Sequence, residues 1–165
     1  MDPTTTRLLS IATQQNLEAW WYPLWTYQLS VYSVDYQTPG LSVAPQQSLR
    51  NPGAALRGPY LCPDFAIVET RQLDDEPATK QLRLVMEVKR RQTALGRIEA
   101  RLKTRLYMTW AIRAVNEPNP IEVYGIAAAG RFWQYRKVSG GGPWVFDNWS
   151  EPRTPATAFS DYVVL

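Results

Sequence analysis

YLCPDFAIVE (residues 60–69) and QLRLVMEVK (residues 81–89) carry the strongest strand signals in the chain. Both are rich in aliphatic and β-branched residues, and both are bounded by polar or proline-containing segments. Alternation in the first places Asp64, Ala66 and Val68 on one face and Phe65, Ile67 and Glu69 on the other. In the second, Arg83, Val85, Glu87 and Lys89 share one face, and Leu84, Met86 and Val88 share the other. The polar connection TRQLDDEPATK (residues 70–80) predicts antiparallel neighbours. Asp64 and the Glu87/Lys89 pair then meet at one end of the sheet. Three charged side chains on strands that otherwise favour burial are costly unless a metal or a partner compensates them.

Working outward, residues 3–31 predict one or two helices. Asp2-Pro3 reads as an N-cap followed by proline at the first helical position. Leu8, Leu9, Ile11, Ala12, Leu17, Trp20, Trp21, Leu24 and Trp25 form its apolar face, with Trp20, Trp21 and Trp25 expected in the core. Pro23 is expected to kink or break the helix. Residues 37–59 are rich in Pro, Gly, Gln and Ser, with a weak strand at 41–44. After the two strong strands, residues 93–115 read as a helix. Leu95, Ile98, Leu102, Leu106 and Trp110 recur at three- and four-residue spacing, a predicted core stripe. Arg97, Arg101 and Arg105 run beside it at four-residue intervals. Residues 121–129 and 132–138 predict a hairpin turning at Gly130-Arg131. The segment 143–165 is aromatic and proline-containing, suited to covering one sheet edge. The element order implies an α/β domain with a mixed central sheet flanked by helices. One domain is expected over residues 1–165, with a core at about 5–138 and a C-terminal extension at 139–165.

Composition narrows the chemistry. The 165 residues contain no histidine and one cysteine. That removes Ser-His-Asp and Cys-His catalysis, histidine–metal sites and histidine-base nucleases. It also removes an internal disulfide and multi-cysteine zinc clusters. Cys62 is expected to be a small buried hydrophobe. No secretory leader or transmembrane run is apparent, and a soluble intracellular protein is expected. The net charge is only +3, but residues 80–113 hold ten basic and two acidic residues. Arginine, which supplies 14 of the 18 basic residues, has a planar fork suited to phosphate. A phosphate-bearing partner near Glu87-Val88-Lys89 is the natural inference.

Phosphodiester cleavage needs an activated water and neutralisation of a pentavalent phosphate. Carboxylates can hold Mg²⁺ or Mn²⁺ for that purpose, and a nearby lysine can orient the water or stabilise charge. Asp64 and Glu87 are the candidate metal ligands, with the backbone carbonyl of Val88 as a third oxygen and Lys89 pointing into the same site. Glu18 is the only acidic residue in residues 3–31 and a candidate further ligand.

Pro63-Asp64 followed by Glu87-Val88-Lys89 resembles the signature of the PD-(D/E)XK nuclease superfamily. The resemblance covers roughly residues 5–138, and the chain is also similar to uncharacterised nuclease-like domains of fungal genomes. It implies a restriction-endonuclease-like fold with an α-β-β-β-α-β core. It implies metal ligation by Asp64 and Glu87, a catalytic role for Lys89, and a helix acid matched in position by Glu18. Some branches carry Gln-x-x-x-Tyr on the following helix; here the equivalent is Lys103-Thr-Arg-Leu-Tyr107, with lysine in place of glutamine. Many nucleases of this fold act as dimers, so a homodimer is possible. The expected function is metal-dependent cleavage of nucleic acid, DNA before RNA. Arg90, Arg91, Arg97, Arg101, Lys103 and Arg105 would contact backbone phosphates. The alternatives are the same fold without catalysis, binding nucleic acid or a protein, and an interaction protein with no nucleic-acid role.

Overall fold

The computed structural model describes residues 2–15, 17–32, 40–46, 62–71, 79–90, 93–113, 122–139, 150 and 153. In order these form α1 (Pro3–Gln15), α2 (Glu18–Tyr32), β1 (Leu41–Pro45), β2 (Phe65–Arg71), β3 (Thr79–Lys89), α3 (Ala94–Arg113), β4 (Glu122–Ala129) and β5 (Phe132–Ser139). Arg91, most of the polar connection 70–80 and most of the segment 143–165 lie outside the described residues.

Local chemistry sets the element ends. Asp2 caps α1, its Oδ1 accepting the Thr5 backbone N–H at 2.9 Å, with Pro3 at the first helical position. α1 ends at Gln15, and α2 begins at Glu18 and runs through Pro23. Pro23 is exposed, while Trp21, Leu24, Trp25 and Leu29 on the inner side are buried. Packing of that inner side offsets the missing backbone hydrogen bond. Trp20 departs from the expected core set, being 42% exposed.

The five strands form one sheet in the order β1-β2-β3-β4-β5. β1/β2, β2/β3 and β4/β5 are antiparallel, and β3/β4 are parallel. The parallel pair requires a crossover, which α3 supplies. The weak strand expected at 41–44 is therefore the β1 edge. At the other edge, Trp133 and Arg153 exchange backbone hydrogen bonds, so the described part of the C-terminal segment does cover β5.

Helices lie on both faces of the sheet. Phe65, Ile67, Leu84, Met86, Val88 and Ile126 pack with Ala12, Trp21, Leu24, Trp25 and Leu29 of α1 and α2. Val85 and Val123, on the opposite face, pack with Tyr107 and Met108 of α3. β3, central and covered on both sides, is buried continuously from Leu84 to Val88, as such strands are. Glu87 lies inside that run.

The burial of α3 differs from its sequence expectation. Leu95, Ile98, Leu102 and Leu106 are 70, 43, 60 and 45% exposed. Among the described side chains of α3 the buried positions are Gly96, Ala100, Thr104, Tyr107 and Met108, and the Trp110 side chain lies outside the described residues. Small residues win because they let the helix axis approach the sheet closely, an advantage that hydrophobic periodicity does not register. Gly125 of β4 completes the fit: a Cβ there would press on Met108 Sδ and Thr104 Cγ2. Gly125→Ala is therefore expected to destabilise the fold by about 1–3 kcal/mol, the usual cost of overpacking, read from the midpoint of urea denaturation. Cys62 is also exposed rather than buried, with its Sγ–H donating to the Gln46 carbonyl at 3.1 Å.

Candidate active site

The antiparallel register of β2 and β3 pairs Phe65 with Met86. One step further along the same register, Asp64 stands opposite Glu87. Both carboxylates thus come to the end of the sheet at which β3 delivers Lys89. The Gly130 backbone N–H holds that strand end by donating to the Lys89 carbonyl at 2.7 Å.

Each oxygen of Asp64 accepts one hydrogen bond. Oδ2 accepts the Val88 backbone N–H at 2.6 Å, and Oδ1 accepts the Tyr22 hydroxyl at 2.7 Å. Burial raises the Asp64 pKa above the ordinary carboxylate value; the two donors pull it down, while the Glu87 charge adds to the rise, and the net shift is upward. Tyr22 is itself pushed far above the ordinary phenol value, by burial first and then by Asp64, so its hydroxyl remains a donor.

Among the described residues Glu87 is the most deeply placed charge, with a side chain 3% exposed. Its Oε1 lies 2.6 Å from Lys89 Nζ and 3.0 Å from Lys103 Nζ. Lys89 also donates to the Val88 carbonyl at 3.3 Å and stands 3.8 Å from Glu18 at the start of α2. Burial works against the Lys89 charge, but Glu87, Glu18 and Asp64 outweigh it, and its pKa is raised. Lys89 is an ammonium at neutral pH, a donor and a positive charge, not a base. Tyr107 closes the floor of the site: its hydroxyl donates to the Cys62 carbonyl at 3.3 Å, and burial and the nearby Glu87 raise its pKa. Beside Lys89 an open cleft of about 250 Å³ is lined by Glu18, Arg90, Thr93 and Glu99 among others.

Asp64, Glu87, Lys89 and the Val88 carbonyl are thus brought together, and Glu18 joins them through Lys89. Arg90 lines the cleft. Arg97 lies 5.9 Å over the Phe132 ring, Arg101 is half-buried and Arg105 exposed. Lys103 departs from the expected phosphate row, turning its ammonium to Glu87. Sequence reasoning missed two partners. Tyr22 sits four residues after Glu18, hence on the same helix face, and that spacing was the available signal. Lys103 and Tyr107 are likewise one turn apart on α3, which brings both to Glu87.

The donor set offers two carboxylates and one backbone carbonyl. Among the described residues no cluster of three or more His, Cys, Asp or Glu side chains could hold a metal ion. All-oxygen donation from two carboxylates fits Mg²⁺ or Mn²⁺, which keep several waters and take further oxygens from a phosphate. It does not fit a zinc site. Among the described residues no helix is long and apolar enough to cross a membrane. Comparison with family models, with curated proteins and with solved structures gives no match.

Proposed function

We propose that this chain is a divalent-metal-dependent nuclease of the PD-(D/E)XK type, built on a restriction-endonuclease-like core and acting on nucleic acid, DNA in the first place. The observation that carries the reading is the opposition of Asp64 and Glu87 across adjacent strands, with the Lys89 ammonium 2.6 Å from Glu87. Asp64, Glu87 and the Val88 carbonyl would hold Mg²⁺ or Mn²⁺. When bound, the ion lowers the pKa of a coordinated water and neutralises charge on the scissile phosphate.

The chain's own residues do the rest. Tyr22 and the Val88 N–H fix the orientation of Asp64, leaving it a rigid acceptor. Lys89, held protonated by Glu87, supplies a buried positive charge where the phosphate becomes more negative, and it can hydrogen-bond the attacking water. Arg90 at the cleft and the arginines of α3 are placed to contact backbone phosphates, which position a strand without reading its sequence.

A second reading has one observation in its favour. Glu87 Oε1 already carries two ammonium groups, an arrangement that also suits a scaffold that binds nucleic acid or a protein without cleaving. Incubation with labelled single- and double-stranded DNA in Mg²⁺ or Mn²⁺, beside EDTA, separates the two. The nuclease reading expects cleavage that EDTA abolishes. Salt-sensitive binding that persists in EDTA, with no cleavage in either metal, overturns it in favour of the second reading.

A further inference from the structure

We infer that Lys103 is a displaceable counter-ion: it occupies the cation's place on Glu87, weakens divalent-metal binding, and is expelled when the metal enters. This rests on the metal-site reading above and names a control on it.

The argument begins with the charge balance. Asp64 and Glu87 bring two negative charges to the sheet end, and Lys89 and Lys103 bring two positive ones. A carboxylate as buried as Glu87 is costly if left unpaired. Before a metal arrives, two ammonium groups on one oxygen meet that need. A divalent ion seeking Glu87 Oε1 must then displace at least one of them.

The two lysines are not equally displaceable. The Lys89 side chain is 12% exposed, and its ammonium is tied also to the Val88 carbonyl and to Glu18. Lys103 is 46% exposed, on a flexible four-carbon stem projecting from the outer helix. Withdrawing its ammonium into water costs little desolvation. Lys89 stays and Lys103 leaves. Once released, the ammonium stands at the mouth of the site, on the same helix as Arg101 and Arg105. A substrate phosphate can hold it there. By reciprocity, whatever draws Lys103 away from Glu87 strengthens metal binding, and metal binding frees Lys103 for phosphate. The lysine thus links metal occupancy to the presence of a polyanion.

The test is a Mn²⁺ titration without DNA, followed by electron paramagnetic resonance, on the wild type, Lys103→Gln and Lys103→Arg. Removing one positive charge beside the site should tighten Mn²⁺ binding by about tenfold in Lys103→Gln. Lys103→Arg keeps the charge and should bind close to the wild-type affinity, a rescue that a merely structural role would not show. Thermal melts without metal confirm that all three proteins fold. Equal or weaker Mn²⁺ binding by folded Lys103→Gln overturns the counter-ion role, while EDTA-sensitive cleavage by the wild type would leave the nuclease reading standing. If no folded protein binds Mn²⁺ and none cleaves, both the metal site and the counter-ion role fall together.

Discussion

Lys89→Ala is expected to lower metal-dependent cleavage by about 10²–10³-fold, the usual effect of removing one preorganised charge from a reacting centre. The loss should appear in kcat more than in KM, because the arginines proposed to contact the strand are untouched. The fold should survive, since Lys103 remains 3.0 Å from Glu87 and keeps that buried carboxylate paired. Removing both lysines is a different matter. The double variant leaves Glu87 buried without either of its ammonium partners, at a cost of about 3–5 kcal/mol. Single-turnover cleavage and thermal melting of the two proteins, side by side, check both statements. A Lys89→Ala protein that cleaves at the wild-type rate would remove Lys89 from the mechanism.

Asp64→Asn should abolish cleavage and at the same time make the metal-free protein more stable. Burial raises the Asp64 pKa above its ordinary value of 3.8 in the folded protein, so folding disfavours the ionised form. The penalty is present in full above the folded-state pKa. It fades as the pH falls through that value and is gone below the ordinary one. Asparagine carries no charge, can accept the Val88 N–H with its oxygen, and can donate its amide to the Tyr22 hydroxyl. Near pH 7 a higher Tm than that of the wild type is expected, and near pH 3 the two proteins should melt together. Melting curves without metal at the two pH values decide the point. An Asn variant less stable than wild type near pH 7 would mean that the hydrogen bonds to Asp64 outweigh its burial.

Most of the fold was legible in the chain because it rests on local rules. Asp2-Pro3 marked the start of α1, period-two alternation assigned the faces of β2 and of β3 from Leu84 to Val88, and Gly130-Arg131 marked the β4/β5 turn. The register shift at Ile67/Val68 breaks the alternation beyond Leu84, so that Leu82 packs with Val85 and Arg83 pairs with Glu69. The charged pair on β3 stood out against an apolar strand, and its meeting with Asp64 followed from antiparallel pairing. Two parts escaped because they depend on packing between elements. The apolar stripe Leu95, Ile98, Leu102 and Leu106 promised the core, yet α3 packs through Gly96, Ala100 and Thr104. That choice reflects the space left by Gly125 on a strand distant in sequence. Tyr22 carries no signal of its own in an aromatic helix, and only the approach of α2 to the sheet end turns its hydroxyl to Asp64. Lys103 lay in a basic row whose members look alike in sequence. The depth of Glu87 sets it apart, since a buried carboxylate draws the nearest flexible ammonium.

Everything proposed for this protein depends on Asp64 and Glu87 taking a divalent cation between them. The most direct measurement is an anomalous difference map from crystals soaked in Mn²⁺. The account predicts one peak bounded by Asp64, Glu87 and the Val88 carbonyl, with Lys103 withdrawn from Glu87. A map without that peak at saturating Mn²⁺, with Lys89 and Lys103 both still on Glu87, would contradict it.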